Sequence, residues 1–423
     1  MQHKSDVSLF ARTNGRAPYR NFGIKQADRL SHMYVVGKTG VGKTTLIETL
    51  VMQDIAEGRG CALLDPHGDL VERIAARIPT HRQADAVYFN VPDPSQPYGY
   101  NPFVQVSYGM RPLVASGIMD VFKKMWGDAW GVRMEHILRN ALLALLDQPH
   151  AAMPDILSML VSKEFRWGVL RNVQNEQVKF FWRREFPKYS FRYQADGIAP
   201  IQNKVGAFLA DPKLRRILTR QDGNLRLRTI MDEGQVLLVN LSQGKIGGDS
   251  SSLLGGLLVT SLGSAAFSRA YTEEGSRRPF HVYIDEFQSF TTLALCNMLS
   301  ELRKFGVGMV LAHQYLDQLD PAILHAVLGN AGTLVSFRIG ANDAEHIARE
   351  FEPVFDRLDL LTLPNHDIYL KLMIDGAPSQ PFSATTLRGV PELPLASAPS
   401  ASERHGNLLV ETAANCHPTH FGL

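Results

Sequence analysis

Residues 33 to 50 read Met33-Tyr34-Val35-Val36-Gly37-Lys38-Thr39-Gly40-Val41-Gly42-Lys43-Thr44-Thr45-Leu46-Ile47-Glu48-Thr49-Leu50. An apolar run leads into a complete GxxxxGK[ST] loop, and a helix-like stretch leads away from it. The physical reading is an anion cradle. Glycines let backbone N–H groups close around a phosphate, and the following helix points its positive end at the same place. Gly37, Thr39, Gly40, Gly42, Lys43, Thr44 and Thr45 are the candidate ligands of a nucleoside triphosphate, with Lys43 reaching the β- and γ-phosphates and Thr44 holding Mg²⁺.

A second segment supplies the chemistry that binding alone lacks. Phe280-His281-Val282-Tyr283-Ile284-Asp285-Glu286-Phe287 is an apolar strand ending in two adjacent carboxylates, the Walker B pattern. Buried parallel strands read as apolar runs, and their ligands sit beyond the carboxyl ends, so Asp285 is expected beside Thr44, where it would hold Mg²⁺. Glu286 is then placed to orient or deprotonate an attacking water. The pair points to hydrolysis; the plainer reading is a solvated helix start.

The chain has 423 residues, 45% hydrophobic and 20% charged, which is ample material for a large core. Cys61, Cys296 and Cys416 are too few and too far apart for a disulfide framework or a zinc quartet, and fit a reducing compartment. The N-terminus has no signal-peptide hydrophobic core. The most apolar stretch, Leu253 to Phe267, is broken by glycines and hydroxyls and reads as a buried helix, not a membrane span. Cys416, His417 and His420 have no fourth ligand at a set spacing, so no metal is assigned to them.

The net charge of +2 is unevenly spread: Lys163 to Arg228 carries fifteen Lys and Arg against six Asp and Glu, a local +9. Phe165, Trp167, Phe180, Phe181, Trp182, Phe186, Tyr189, Phe191 and Tyr193 are interleaved with it. That mixture suits a nucleic-acid surface, although aromatics at helical spacing also serve as core.

Apolar runs at Tyr34 to Val36, Cys61 to Leu64, Ala86 to Phe89, Val236 to Val239, Val282 to Ile284, Val307 to Leu311 and Thr333 to Phe337 alternate with helical patterns. The pattern predicts an α/β fold, a doubly wound and mostly parallel sheet. Nearly 150 residues separate the third and fourth runs with almost no strand pattern, so residues 105–228 are expected to be an all-helical insertion. The expected organisation is a basic lead (1–30), a discontinuous nucleotide-binding domain (31–104 and 229–388), the insertion, and a flexible Pro-rich tail (389–423). The lead, with Arg12, Arg16, Arg20, Lys25 and Arg29, is expected to be a frayed, solvated terminus, with contact to DNA or anionic lipid as the other reading.

Further blocks carry a family resemblance. Asp65-Pro66-His67-Gly68-Asp69 follows the second strand, Tyr100-Asn101-Pro102-Phe103 follows the third, and Arg303-Lys304-Phe305-Gly306 leads through a strand to His313-Gln314. With the two Walker elements, they make the chain resemble the HerA and FtsK branch of P-loop motors, and most closely the RecA-like ATPase domain of conjugative type IV secretion coupling proteins. The resemblance implies ATP and Mg²⁺ as cofactors, a homo-hexameric ring, and DNA driven through a central channel. It makes Gln314 the γ-phosphate sensor and Arg303 the arginine finger reaching a neighbouring subunit, with Arg338 as the rival. As plainer readings, Gln314 is a polar strand terminus and Arg303 a cation at a helix end. Asp65 and His67 either approach the nucleotide or form a turn with a helix cap at Asp69. Coupling proteins begin with membrane helices, whereas nothing before residue 37 here spans a bilayer, so no direct membrane anchor is expected. The location is then cytoplasmic, peripheral to the inner membrane through partners such as a relaxase, a nuclease or secretion components. A P-loop switch or protein-translocating motor with an acidic protein partner is the alternative, and a scaffold with a vestigial site is a third reading.

Overall fold

The computed structural model describes residues 6–15, 17–104, 106–127, 130–220 and 222–389. In chain order the strands are β1 (Val7–Thr13), β2 (Asn21–Lys25), β3 (Met33–Val36), β4 (Gly60–Asp65), β5 (Ala86–Asn90), β6 (Val236–Asn240), β7 (Phe280–Ile284), β8 (Val307–His313), β9 (Thr333–Ser336), β10 (Asp367–Lys371), β11 (Met373–Ile374), β12 (Ala377–Pro378) and β13 (Phe382–Thr386). Eleven of them form one sheet in the order β2-β1-β13-β10-β9-β3-β8-β7-β4-β6-β5. From β9 to β5 every pairing is parallel. On the other side of β9, the pairings of β10, β13, β1 and β2 are antiparallel.

The central strands β3, β4, β6, β7, β8 and β9 are buried along their whole length. That is why they read as unbroken apolar runs: both faces of a doubly wound sheet are covered. Alternate residues feed the two cores. Tyr34, Val36, Leu64 and Ile284 enter one, and Val35, Leu63, Tyr283 and Ala312 enter the other. All seven strands expected from the sequence are present, so the α/β, mostly parallel fold class holds.

Between β5 and β6 the described regular elements are all helical, beginning with Arg111–Trp126 and Val132–Leu146. Their apolar side chains are continuous with the core on one face of the sheet. The helix Gly248–Phe267 is the seam. A Cβ on Gly117 would lie 2.1 Å from Thr260 Cγ2, and one on Gly255 would lie 2.1 Å from Phe290 Cδ1, so only glycine permits these approaches. The segment Gly248–Tyr271 is long and apolar enough to cross a bilayer, yet 72% of its apolar window is buried inside the fold, as the reading of a core helix expected.

The N-terminal expectation is overturned. The described residues between Val7 and Arg29 are not frayed: β1 pairs with both β2 and β13, and Arg29 is buried. Lys25 pairs with Asp375, Arg12 lies over the ring of Tyr19, and Arg16 falls outside the described residues. The tail from residue 390 onward, with Cys416, His417 and His420, also lies outside them.

Arg29 closes a buried ionic cluster. Its Nη1 and Nη2 donate to Asp54 Oδ1 and Oδ2 at 2.6 and 2.8 Å. Arg59 Nε donates to Oδ1 at 2.7 Å, and Tyr283 Oη donates to Oδ2 at 2.6 Å. Burial alone would raise the Asp54 carboxyl, but Arg29 beside it holds it far below the usual carboxylate range. Asp54 sits on the helix Lys43–Ala56 and Tyr283 on β7, so the cluster ties the N-terminal strands to the phosphate-loop helix. Asp54→Ala leaves two buried arginines without their carboxylate and is expected to cost about 3–5 kcal/mol in denaturant unfolding at pH 7. Because the carboxyl is depressed, its contribution is present above about pH 4 and is lost as pH falls further, so the two proteins should converge in acid. A loss below about 1 kcal/mol at pH 7 would contradict this role.

Candidate functional site

Parallel register delivers three chain segments to one edge. Val36 stands opposite His313, and Ile284 opposite Leu311. The phosphate loop after β3, the carboxylates after β7 and Gln314 after β8 therefore leave the sheet side by side. Thr39, Gly40, Gly42, Lys43, Thr44, Thr45, Asp285, Glu286 and Gln314 line one cleft, together with His67 and His366.

The loop is built by its glycines. Gly40 and Gly42 have φ of 77° and 122°, which side chains rarely adopt. Gly37 does not line the cleft; a Cβ there would lie 2.6 Å from Phe337 Cβ, so it lets the loop pack on β9. The loop is further pinned by Gly37 N–H to His313 O at 3.3 Å and Lys38 N–H to Arg338 O at 2.9 Å. Lys43 is buried, and its Nζ donates to Gly37 O and Lys38 O at 2.5 and 3.0 Å. Burial pushes this ammonium down, while Glu286 and Asp285 hold it up.

Asp285 is buried at the foot of the cleft. Burial first, then the neighbouring Glu286 and Asp65 carboxylates, push its carboxyl up to about 6. A buried carboxylate facing two others is a site that favours a cation. Glu286 has φ 46°, left-handed for a non-glycine residue, which turns its side chain away from the strand direction. Both its oxygens are held: Gln314 Nε2 donates to Oε1 at 2.5 Å and Gln288 Nε2 to Oε2 at 2.8 Å. Gln314 Oε1 in turn accepts from Thr39 Oγ1 at 2.6 Å, so the residue that follows β8 bonds the phosphate loop directly.

Asp65 acts as a cap. Its Oδ1 accepts from His67 N–H, and its Oδ2 accepts from Leu70 and Val71 N–H at 2.9 and 3.1 Å, so the cap comes from Asp65 and not from Asp69. That turn presents the exposed His67 to the cleft. The Tyr100–Phe103 block lies elsewhere. Tyr100 Oη donates to Leu257 O, and Asn101 Nδ2 to Ala151 O, joining the helical region to the helix Gly248–Phe267.

Neither arginine lines the cleft. Arg303 is exposed on the short 3-10 turn before β8, at the opposite edge of the sheet. The seven residues of β8 separate it from Gln314, roughly 23 Å of strand. Arg338 is close to the loop, but its guanidinium donates to Leu363 O and Asn365 Oδ1 at 3.0 and 2.9 Å.

Two residues were missed by the sequence reading. His366 arrives from the segment before β10, where no motif marks it; its N–H donates to Val41 O at 2.8 Å, and its ring lies against Gly42. Gln288 stands two residues beyond Glu286, a polar residue following Phe287 in a short turn, and that position was its only signal. In the basic segment, Phe181, Trp182 and Phe186 are buried core, Phe165 and Tyr189 pack against it, and only Trp167 and Phe180 are exposed, at 49% and 58%. The side chains of Phe191 and Tyr193 lie outside the described residues.

The raised Asp285 has a thermodynamic signature. The folded state holds its proton more tightly than the unfolded chain, so this group's effect is absent below about pH 4, grows as pH rises towards 6 and opposes folding above it. Asp285→Asn is expected to stabilise the ligand-free protein at pH 7 by on the order of 2–3 kcal/mol and to abolish that decline. Equal stability of the two proteins across this range would contradict the assignment.

No protein-family model matches the chain, and no curated protein matches it in sequence. Solved structures do match in fold. The unbound monoclinic form of the bacterial conjugative coupling protein TrwBdeltaN70 superposes with a TM-score of 0.62 at 17% identity, covering 87% of this chain and 86% of that one. The plasmid coupling protein TrwB in complex with ADP and Mg²⁺ gives 0.62 at 17% identity, covering 86% of each chain. VirB4 of Thermoanaerobacter pseudethanolicus gives 0.61 at 12% identity, covering 92% of this chain and 97% of that one. The chain has the RecA-like P-loop fold of the TrwB and VirB4 structures.

Proposed function

We propose that the protein is an ATP-hydrolysing motor of the type IV secretion kind, acting as a homo-hexameric ring that moves DNA or DNA–protein cargo. One observation carries the reading: Lys43, Thr44, Asp285, Glu286 and Gln314, drawn from three separate segments, line a single cleft at the carboxyl edge of a parallel sheet. In this reading Gly37, Thr39, Gly40, Gly42 and Thr45 shape the phosphate cradle. Lys43 exchanges its loop carbonyls for phosphate oxygens, and Glu286 orients the attacking water. Mg²⁺, held by Thr44 and Asp285, would neutralise phosphate charge. The fold likeness to TrwB structures that hold ADP and Mg²⁺, an ATP analogue or a GTP analogue supports a nucleotide in this cleft.

Arg303 is the finger in this account. It is an exposed cation outside the phosphate cleft, at the sheet's opposite edge, and reaching a neighbour's phosphates would link hydrolysis to ring assembly. Arg338, bound to its own chain, is the weaker candidate. The helical insertion (105–228) would meet the cargo, and the protein would work in the cytoplasm, peripheral to the inner membrane through partners such as a relaxase, a nuclease or secretion components.

A second reading has one observation in its favour. Most of the aromatics in the basic segment are core, which leaves few faces for stacking on bases and suits a motor or switch that recognises an acidic protein.

Steady-state ATP hydrolysis, with and without single- and double-stranded DNA and with Lys43→Ala as the blank, separates these readings. Stimulation by DNA that is lost in the blank is expected; turnover indifferent to both DNAs would select the protein-moving alternative. Mixing Arg303→Ala with Lys43→Ala subunits should restore part of the activity. No recovery in proven mixed rings would remove Arg303 from the mechanism.

A further inference from the structure

Glu286 is tied to more than the cleft. Its Oε2 accepts from Gln288 Nε2 at 2.8 Å. The Gln288 backbone carbonyl in turn accepts from Lys124 Nζ at 2.6 Å. Lys124 lies on the helix Arg111–Trp126, the first long element of the helical region, so the bond spans 164 residues of sequence. Gln288 Oε1 is buried and has no hydrogen-bond partner among the described residues. The one side-chain hydrogen bond shown for this amide is therefore the one to Glu286.

The packing around this chain of bonds is stiff. Phe290 presses on Gly255, and Val121 of the Lys124 helix lies 3.2 Å from where a Cβ on Gly256 would stand. Gly117, one turn before Val121 on the same helix, meets Thr260, one turn beyond Gly256. Close backbone approaches of this kind transmit displacement, because packed cores have little room to deform. A shift of the Arg111–Trp126 helix would thus pull on residues 287–290 and, through Gln288, on the carboxylate.

We propose that Gln288 is a positioning residue for Glu286, and that Lys124 makes the orientation of this carboxylate depend on the helical region. The inference rests on the ATPase reading above, in which Glu286 orients the attacking water. A carboxylate in that role must be held to within a fraction of an ångström, and a misplacement of about 1 Å costs up to about 100-fold in rate. Gln314 fixes one oxygen from the phosphate-loop side and Gln288 fixes the other from the helical side, so Glu286 is aligned only when both regions are in place.

The experiment is a double-mutant cycle on ATP hydrolysis by the full chain, comparing wild type, Lys124→Met, Gln288→Leu and the double variant. Binding of a fluorescent ATP analogue and thermal unfolding are followed alongside. Each single change is expected to lower kcat about tenfold with KM for ATP within about twofold. The double variant should be no slower than the slower single variant, because both break the same chain of bonds. Lys124→Arg, which keeps a donor, should restore most of the rate. Lys124 keeps an exposed stem while burial lowers its ammonium to about 8, so thermal unfolding is measured alongside to separate a loss of rate from a loss of stability. Unchanged kcat in Lys124→Met, or effects that multiply in the double variant, would overturn the coupling. Absence of turnover in the wild type would instead defeat the ATPase reading itself, and the two failures are distinct.

Discussion

The parallel pairing of β3, β8 and β7 is the constraint on which the rest depends. Parallel strands release their chains at one edge, so any residue placed just after such a strand is brought to the same line. Lys43, Asp285 and Gln314 are far apart in sequence, yet none needs a special loop to reach its neighbours. The cost falls on the interior, where polar groups are few, and the cluster of Asp54 with Arg29, Arg59 and Tyr283 is closed by mutual hydrogen bonds.

That cluster and the cleft sit at the two ends of one helix. Lys43 opens Lys43–Ala56, and Asp54 lies in its last turn. The helix is therefore clamped at its far end by a buried ion pair, while its first turn is open to a phosphate. Strong fixation away from the site and polar, strained geometry within it, such as Glu286 at φ 46°, are two halves of one arrangement. The same division covers Asp285, whose burial beside other carboxylates is unfavourable for folding.

Legibility from the sequence followed burial. The six central parallel strands were readable because double-sided cover leaves an apolar run, the edge strand β5 because Ala86 to Phe89 are apolar as well, and the two Walker elements because each residue type has its own chemical reason. The antiparallel side was not. β1, β2, β10 and β13 are half-exposed, so Arg12, Asn21 and Tyr369 dilute the pattern, and the basic residues near the N-terminus suggested a solvated lead. His366 reaches the cleft from that unread side, which is why no motif announced it. Gln288 and Lys124 were invisible for another reason: a bond from a side chain to a backbone carbonyl leaves no mark on residue spacing. The aromatics of the basic segment were ambiguous in sequence because helical spacing serves core and surface alike; burial of Phe181, Trp182 and Phe186 resolves those three.

The central claim is that binding and hydrolysis are assigned to different residues of one cleft. Calorimetric titration of ATP with Mg²⁺ into Glu286→Gln, paired with single-turnover hydrolysis of the same protein, tests it most directly. The account expects ATP to bind with an affinity near that of the wild type while cleavage slows by about 100-fold or more, a loss of the size general-base catalysis supplies. Wild-type cleavage in Glu286→Gln would contradict the account, because the residue held by Gln314 and Gln288 would then have no part in the chemistry.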